Sequence, residues 1–550
     1  MMNKIKIVLT MFSIALLSSS CLEIDLLETE PNDRLNNENY WQTIQDAEYA
    51  VNYLYTFLNG DEIGYDLYSD ILVDNYGYDS DHGRMQRGIH QSDLGVFNAQ
   101  WVNRFKGVRA ANNFFENVDR VIEKTTDEAE LKMLDRMVGE AHFFRAYCYT
   151  YLAFFFGDVP YIDYSMGTDE AMNVERTPVD QVWEHVFSDY DAAIDKLENE
   201  YGDADYGRLT VGAAYAMKAR AALMATKFDA KYYSVVAEAA QKVIDLDIYS
   251  LYSNYEDLFK YAGEGSNETV LVRPYIGGGT YNRNSFSNRA PKSLKNGNPY
   301  YSATKRIADM YPMLNGLPIT NNASGFDPFN PYVDRDPRMI ASLFVNGDPL
   351  YNLHGDPDYP EAQPFLNMTP GNGGLDDVLT PDLSTPTGFY IKKYLDIQDY
   401  ASPGDGGIDV MLIRYADVLL MAAEGIIETG GDQQVAADYI DLVRMRAGLP
   451  RLQDSGVNTG DRDAMRKAVR TERTIELAFE GTRYFDILRW RVAEDLMKGY
   501  VKGMRYVENG EVKVVKLDTE RAFNPERDYL WPVPSKQLKL SPKLGQNDNY

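Results

Sequence analysis

The sequence predicts an all-α dominated fold, a tetratricopeptide-like helical scaffold with long loop-rich insertions. Helical periodicity dominates three regions, at about 42–59, 101–246 and 413–500, and each contains paired amphipathic segments. Between them the composition changes, because residues 343–411 hold 17 Gly or Pro in 69 positions, about twice the share of the whole chain. We therefore expect helix pairs that carry loops, and loops on a rigid scaffold are where binding residues are commonly found.

Two helix pairs are the best defined elements. The first joins an alanine-rich segment at 209–228 to a second segment at 232–246, and small side chains on one face allow two helices to approach closely. The second joins 414–428 to 432–445, which are separated by Gly430 and Gly431. Asp432 is the expected N-cap of the last of these helices.

An apolar stripe defines a further helix before these pairs. Its members recur at spacings of four and three residues: Met137, Ala141, Phe144, Cys148, Tyr151 and Phe155. A residue in such a stripe faces the core, so Cys148 is expected to be a buried thiol rather than a nucleophile.

Composition excludes several classes of function. The chain has 550 residues with 55 Lys and Arg against 83 Asp and Glu, a net charge of −28, and this acidity repels the phosphates of nucleic acid. The hydrophobic content of 44% and the charged content of 25% are those of a globular protein, not of a polytopic membrane protein.

The first 20 residues read as a secretory signal peptide. Lys4 and Lys6 provide a positive start, and residues 7–17 form an apolar stretch too short for a permanent membrane span. The stretch ends in Leu-Ser-Ser-Ser at 17–20, directly before Cys21, and this resembles the bacterial lipobox. We expect Cys21 to be lipidated and to become the first residue of the mature protein, so that Cys148 has no disulfide partner.

Short motifs are spread along nearly the whole mature chain. The N-terminal half contains LETEP at 27–31, YWQ at 40–42, DA at 46–47, Tyr55, GEAHFFRAY at 139–147 and FGDVP at 156–160. The C-terminal half contains RYADVLLM at 414–421, AE at 423–424, VR at 443–444, RAGL at 446–449, ER at 472–473, ELAFEG at 476–481, RYFD at 483–486, RW at 489–490, LWPVP at 530–534, Pro542, QN at 546–547 and Tyr550. Together these motifs resemble the SusD/RagB family of outer-membrane lipoproteins of the Bacteroidota. One departure is His142, which stands where a long side chain such as Arg is more usual in that family.

The resemblance implies a role as well as a fold. Such a lipoprotein binds an oligosaccharide, or in some members a peptide, at the surface of the outer membrane. It acts as a lid over a SusC-like TonB-dependent transporter and hands the ligand to it. No catalysis, cofactor or metal is implied.

On this interpretation the chain has three parts. Residues 1–20 are the signal peptide, 21–40 a lipidated tether, and 41–550 a single SusD-like helical body with ligand-facing loops at about 64–100 and 262–411. Flat aromatic rings can stack on sugar faces while polar groups bind the hydroxyls. The five tryptophans lie in or beside helical segments and are expected to pack, so the binding candidates are loop residues: Asn75, Tyr76, Tyr78, Arg84, Tyr275, Tyr281, Tyr300 and Tyr301.

A charged cluster offers the alternative of an enzyme. It consists of Glu472, Arg473, Glu476, Glu480, Arg483, Asp486 and Arg489. Paired carboxylates on one helix face could act as acid and base in a glycoside hydrolase. Alternating charges at helical spacing more commonly form ion pairs at i, i+4 and between helices. Arg145 is likewise expected to pair with a carboxylate.

No motif of a known catalytic class supports the enzyme. The five histidines show no HExxH spacing, and the sequence contains no GxSxG, GxGxxG or GxxxxGK[ST] motif. Asp79 with Asp81, and Asp203 with Asp205, alternate like calcium ligands but lack the downstream Glu of an EF-hand. The sequence thus predicts a non-enzymatic glycan-binding lipoprotein, with a peptide binder as the alternative in the same family and a glycoside hydrolase as the more distant one.

Overall fold

A computed structural model describes residues 40–58, 63–75, 80–278, 287–294, 297–350, 364–380, 384–399 and 404–550. Its helices are α1 (Ile44–Tyr55), α2 (Ile63–Asp66), α3 (Asp81–Gln86), α4 (Gly95–Ile122), α5 (Glu128–Phe156), α6 (Thr168–Ala171), α7 (Val179–Ile194), α8 (Val211–Ala225), α9 (Tyr233–Asp245), α10 (Lys305–Met310), α11 (Pro337–Ser342), α12 (Tyr415–Thr429), α13 (Gln433–Arg446), α14 (Arg462–Glu476), α15 (Arg483–Arg489), α16 (Ala493–Leu496) and α17 (Ser535–Leu540). Its strands are β1 (Leu72–Asp74), β2 (Thr269–Arg273), β3 (Tyr301–Ala303), β4 (Leu343–Phe344), β5 (Tyr390–Ile391), β6 (Val410–Arg414), β7 (Gly499–Glu508) and β8 (Glu511–Arg521).

Consecutive helices pack in pairs, as the sequence predicts. The pairs are α4 with α5, α8 with α9, and α12 with α13, and the second and third pairs meet where α9 packs on α12. Small residues permit these contacts, because a Cβ atom at Gly425 would lie 2.7 Å from the backbone nitrogen of Ala237 on α9. The all-α dominated, tetratricopeptide-like prediction is confirmed.

The helix ends follow local sequence signals. The N-cap of α13 is Asp432, whose carboxylate accepts a hydrogen bond from the backbone N–H of Gln434. Gly430 ends α12 in the left-handed conformation, with φ at 74°, which glycine adopts without strain. Both signals lie where the sequence predicts the break between these helices.

Helix α5 runs through the centre of the protein. Its apolar stripe is buried, and Cys148 is a fully buried free thiol, as predicted. A Cβ atom on Gly107 of α4 would lie 2.4 Å from the sulfur of Cys148, so glycine at this position lets α4 and α5 approach closely. Burial raises the pKa of the Cys148 thiol to about 11, which keeps it protonated and unreactive.

Arg145 on α5 pairs with a carboxylate, also as predicted. Its guanidinium donates to both carboxylate oxygens of Asp189 on α7, at 2.7 Å each. The Nδ1 atom of His142 lies 2.8 Å from the same carboxylate. His142, the departure from the family motif, therefore adds a contact between α5 and α7.

The charged cluster of the sequence lies in the core. Three of its members, Glu472, Glu476 and Glu480, belong to a larger group that we call the buried ion cluster. This cluster joins five cations to five anions, and none of its side chains is more than 7% exposed: Arg338, Lys393, Arg414, Arg444, Arg446, Glu268, Asp336, Glu472, Glu476 and Glu480. Apart from Asp336 with Arg338, these pairs join different segments of the chain. The expected bridges between helices are present, whereas no i, i+4 pair occurs among the described residues of the cluster.

The strands form four two-stranded antiparallel sheets in the described part of the chain. The longest is the hairpin of β7 and β8, a region for which the sequence analysis predicts no strand. Its turn is Asn509–Gly510, both residues with positive φ, the signature of the tight turns that join hairpin strands.

None of the helices in the described ranges combines the length and the apolar character needed to cross a membrane.

Candidate ligand-binding site

Pairing of β1 with β3 brings together predicted binding residues that are more than 200 positions apart in sequence. In this antiparallel pair Asp74 lies opposite Tyr301. One residue further, the backbone N–H of Asn75 donates to the carbonyl oxygen of Tyr300 at 2.7 Å. The side-chain amide of Asn75 donates to the carbonyl oxygen of Pro299 at 2.9 Å. The backbone thus fixes Asn75 beside the two tyrosines.

Tyr300 and Tyr301 differ in how accessible their rings are. Tyr300 is 40% exposed, and its hydroxyl accepts a hydrogen bond from the amide of Asn298 at 3.3 Å. The hydroxyl of Tyr301 accepts one from Asn288 at 2.8 Å, and its ring packs partly against the core. The ring centroids are 6.4 Å apart and nearly perpendicular. Tyr300 is therefore the ring that a ligand can reach.

Asn75 also lines a cleft with a volume of about 390 Å³, which we call the Asn75 cleft. Its lining comes from the end of β1 with α3, from residues 378–379 and Pro386, and from strand β8. Its lining residues are Asp74, Asn75, Gly83, Gln86, Arg87, Val378, Leu379, Pro386, Val515, Lys516, Leu517, Asp518 and Thr519.

Two side-chain oxygens at this cleft lack hydrogen-bond donors from the protein. They are Oδ1 of Asn75 and Oε1 of Gln86, both buried and without a partner in the described structure. Their orientation is fixed, since Nε2 of Gln86 donates to the carbonyls of Leu67 and Leu72 at 2.5 and 3.1 Å. An unsatisfied buried acceptor is costly, so a ligand that brings a donor gains free energy here.

The charges at the cleft are balanced. The lining contains two acids, Asp74 and Asp518, and two bases, Arg87 and Lys516. The carboxylate of Asp74 accepts a hydrogen bond from the hydroxyl of Ser80 at 2.7 Å. Neither sign dominates, so the arrangement suits a ligand that presents neutral hydroxyl or amide groups and some apolar surface.

The structure divides the other predicted residues. Arg84 lies in the last turn of α3, on the same short helix as Gln86, but does not line the cleft. Tyr275 lies apart from the cleft. Its backbone N–H donates to Asp409 at 2.8 Å, and the other carboxylate oxygen of Asp409 accepts from the hydroxyl of Tyr206 at 2.8 Å. Burial raises the pKa of that carboxyl.

Four predicted residues lie outside the described ranges: Cys21, Tyr76, Tyr78 and Tyr281.

The sequence analysis missed the walls of the cleft. Gln86 lies inside the predicted loop 64–100 but carries no aromatic signal, and β8 lies outside both predicted loop regions. One signal was present for β8, because Asn-Gly at 509–510 between runs rich in valine is typical of a hairpin.

Glu476, a central carboxylate of the enzyme alternative, is buried and bonded to three arginines. Burial disfavours the charge of Glu476, but Arg446, Arg414 and Arg338 outweigh it and hold the pKa of this carboxyl far below its usual range. One carboxylate oxygen accepts from Arg414 at 2.6 Å and from Arg446, and the other accepts from Arg338 at 2.7 Å. Within the described ranges no three His, Cys, Asp or Glu side chains are grouped so as to hold a metal ion.

Helix pairs that carry loop-borne clefts define this protein as a helical scaffold of tetratricopeptide type. The SusD family model matches residues 267–550, and a second family model, described as starch-binding associating with outer membrane, matches residues 27–223. The chain belongs to the SusD family, and the resemblance drawn from its motifs is confirmed.

Relatives of similar length extend this result. SusD-like protein P2 of Formosa agariphila is 24% identical over 542 residues, which cover 95% of each chain. The crystal structure of a SusD-like protein from Bacteroides fragilis matches with a TM-score of 0.79 at 25% identity, over 95% of this chain and all of that one. A SusD-like carbohydrate-binding protein from the same species matches with a TM-score of 0.78 at 23% identity, over 92% of this chain and all of that one.

Proposed function

We propose that this protein is a non-enzymatic lipoprotein of the cell surface that binds an oligosaccharide and delivers it to a SusC-like TonB-dependent transporter of the outer membrane. The observation that carries the ligand class is the Asn75 cleft, where two side-chain carbonyl oxygens lack hydrogen-bond donors. The backbone of Asn75 is bonded to that of Tyr300, whose side chain is exposed. Sugar hydroxyls supply the donors that these oxygens lack, and a pyranose presents C–H faces to an aromatic ring. One structural neighbour is named for carbohydrate binding, which agrees with this assignment.

The three-part organisation belongs to the same proposal. A signal peptide at 1–20 and a lipidated tether at 21–40 would place the helical body 41–550 at the outer membrane. Its loops at about 64–100 and 262–411 would face the ligand. Support comes from the lipobox at Cys21 and from the family model whose description includes the outer membrane.

Family membership supports the proposal of a transporter partner. A lid needs a large interface, of about 1,200 Å² or more in total, because smaller contacts rarely hold a stable complex. The charges of the Asn75 cleft are balanced. We therefore treat ligand binding in this cleft and docking on the transporter as separate properties of the surface.

Calorimetry with a panel of neutral and acidic oligosaccharides tests the ligand class. Burying one ring face removes apolar area from water at about 25 cal/mol per Å², so one stacked ring contributes about 1 to 2 kcal/mol. Tyr300→Ala should weaken binding of the best oligosaccharide about 5- to 30-fold. The matched control is Tyr49→Ala, an exposed tyrosine on α1, which should leave the affinity unchanged. Equal affinities of wild type and Tyr300→Ala would place the site elsewhere.

The predicted tyrosines outside the described ranges need their own test. The combined change Tyr76→Ala, Tyr78→Ala, Tyr281→Ala should abolish binding that Tyr300→Ala only weakens. Unchanged affinity in the triple variant would remove these residues from the site.

A peptide is the second candidate ligand, and one observation favours it. Strand β8 pairs only with β7 among the described strands, and its residues 515–519 line the Asn75 cleft. An extended peptide could add to this edge through backbone hydrogen bonds. Oligopeptides in the same calorimetric panel separate the two candidates, since a β-strand ligand binds through backbone amides that an oligosaccharide lacks.

A further inference from the structure

A second cleft, which we call the Trp101 cleft, lies between α4, the segment 160–174 and the C-terminal helix α17. It has a volume of about 370 Å³ and shares no lining residue with the Asn75 cleft. Most of its lining is apolar: Trp101, Phe105, Val108, Pro160, Ile162, Tyr164, Met166, Ala171, Met172, Val174, Leu540 and Leu544, with Arg109, Asn112, Thr168, Gln537 and Ser541 as the remainder. Its size is at the lower end of the range for small-molecule sites, which are mostly apolar with few polar groups.

The buried polar groups of this cleft are already satisfied by the protein. The amide of Asn112 donates to the carbonyls of Ile162 and Tyr164 at 3.0 and 3.1 Å, and its oxygen accepts from Arg145 at 3.1 Å. The hydroxyl of Ser541 donates to the carbonyl of Ala171. A ligand therefore finds an apolar interior with little demand for hydrogen bonds.

Arg109 is the exception. It is the one charged residue that lines the Trp101 cleft, it is exposed on α4, and no other described residue pairs with its guanidinium. The hydroxyl of Tyr164 at the rim is already bonded to Glu170. Among its described lining residues, the cleft thus combines an apolar interior with one cation, Arg109, that has no described partner.

Exposed apolar side chains mark the mouth of the cleft. Tyr164, Met172 and Leu540 are between 42% and 62% exposed, although large apolar groups are usually buried. Two flexible methionines, Met166 and Met172, can adapt to the shape of a chain that enters. Covering these groups would remove them from water, which is a driving force for an apolar ligand.

We propose that the Trp101 cleft binds one single-chain fatty acid, with the alkyl chain on Trp101, Phe105 and Leu540 and the carboxylate paired with Arg109. A volume near 370 Å³ suits one chain rather than the two of a phospholipid. This site is independent of the oligosaccharide site of the proposed function.

Displacement of cis-parinaric acid from the full chain, below the micelle concentration, tests the proposal. We expect saturable binding at one site per protein. Each methylene buried contributes about 0.8 kcal/mol, so dodecanoate should bind about 15-fold more tightly than decanoate.

A comparison of dodecanoate with its methyl ester tests the role of Arg109. Arg109→Gln should weaken binding of dodecanoate about 5-fold and leave binding of methyl dodecanoate unchanged, because the ester has no charge to lose. The control Lys242→Gln, which removes an exposed cation on α9, should change neither. Equal losses for acid and ester in Arg109→Gln would overturn the assignment of the carboxylate.

Substitutions of two leucines, Leu540 in the cleft and Leu442 outside it, test the role of the apolar lining. Leu540→Asn should weaken both ligands at least 5-fold, whereas Leu442→Asn, a comparably exposed leucine on α13, should change neither. Both positions are exposed, so we expect both variants to fold, and circular dichroism checks this. Absence of saturable binding, or binding only to phosphatidylglycerol vesicles and not to monomeric dodecanoate, would overturn the proposal.

Discussion

Replacing Glu476 by Gln tests whether the buried ion cluster stabilises the scaffold. The substitution keeps the size of the side chain and removes one negative charge from a set of five cations and five anions. The cluster would then carry a net positive charge in the core. The amide also points an N–H group at a guanidinium that can only donate, either Arg338 or the pair of Arg414 and Arg446.

The expected loss of stability is large. Removing one partner of a buried ion pair costs about 3–5 kcal/mol, because the remaining charge is left without compensation. Proteins of this kind are stabilised by about 5–15 kcal/mol in total, so the variant should lose about a fifth of that or more. The matched control is Glu198→Gln, which removes a half-exposed carboxylate paired with Lys132 at 2.7 Å. A surface pair contributes about 0–1 kcal/mol.

Urea unfolding followed by tryptophan fluorescence measures the difference, since all five tryptophans are buried. The unfolding midpoint of Glu476→Gln should fall well below that of the wild type, while that of Glu198→Gln should stay close to it. Equal midpoints for the two variants would refute the idea that the cluster stabilises the fold. Reproducible glycan hydrolysis by the wild type that Glu476→Gln abolishes would instead revive the enzyme alternative.

Three further predictions follow from other parts of the chain. Burial opposes ionisation of Asp417, but Arg473 and Arg220 lower its pKa from 3.8 to about 2. About 2 kcal/mol of stability is therefore present above pH 4 and lost as the pH falls to 2. Asp417→Asn should remove that pH dependence in urea titrations, whereas a wild-type slope in the variant would contradict it. Cys21→Ala should move the protein from the membrane to the soluble fraction, and unchanged fractionation would rule out the lipid anchor. Affinity purification in mild detergent should recover a partner of transporter size, and recovery of this protein alone would count against the lid.

The helices could be predicted closely because their signals are local. The expected pair at 414–428 and 432–445 differs by one residue at each end from the observed α12 and α13. The apolar stripe around Cys148 required only the periodicity of a single helix. In each case the residues that determine a helix lie within it or directly beside it in the sequence.

The pairing of charges could not be predicted in the same way. The spacing of Glu472 and Glu476 indicated ion pairs, and the partners are indeed arginines. These arginines come from α11, β6 and α13, which the chain brings together only on folding. Sequence spacing tells which residues share a helix face, but it does not tell which distant segment packs on that face.

The candidate site shows the same limit more strongly. Asn75 and Tyr300 were both chosen from the sequence, yet their contact depends on β1 and β3, strands of three residues each with too little periodicity to detect. The unpartnered oxygen of Gln86 is a consequence of its amide donors, which are used by Leu67 and Leu72. Only the folded backbone determines which half of an amide is left for a ligand.

The proposed binding site and the buried ion cluster consist of separate groups, and the variants described above test whether binding and stability are separate. The two unpartnered acceptors are held by backbone hydrogen bonds beside β1, while the buried ion cluster ties α11, α13 and α14 to β6. The two sets share no residue. Tyr300→Ala should therefore change affinity without changing the unfolding midpoint, and Glu476→Gln should change the midpoint without changing affinity under conditions where it is folded. A variant that changed both would show that the cluster shapes the cleft, because residues that are energetically coupled do not give additive effects.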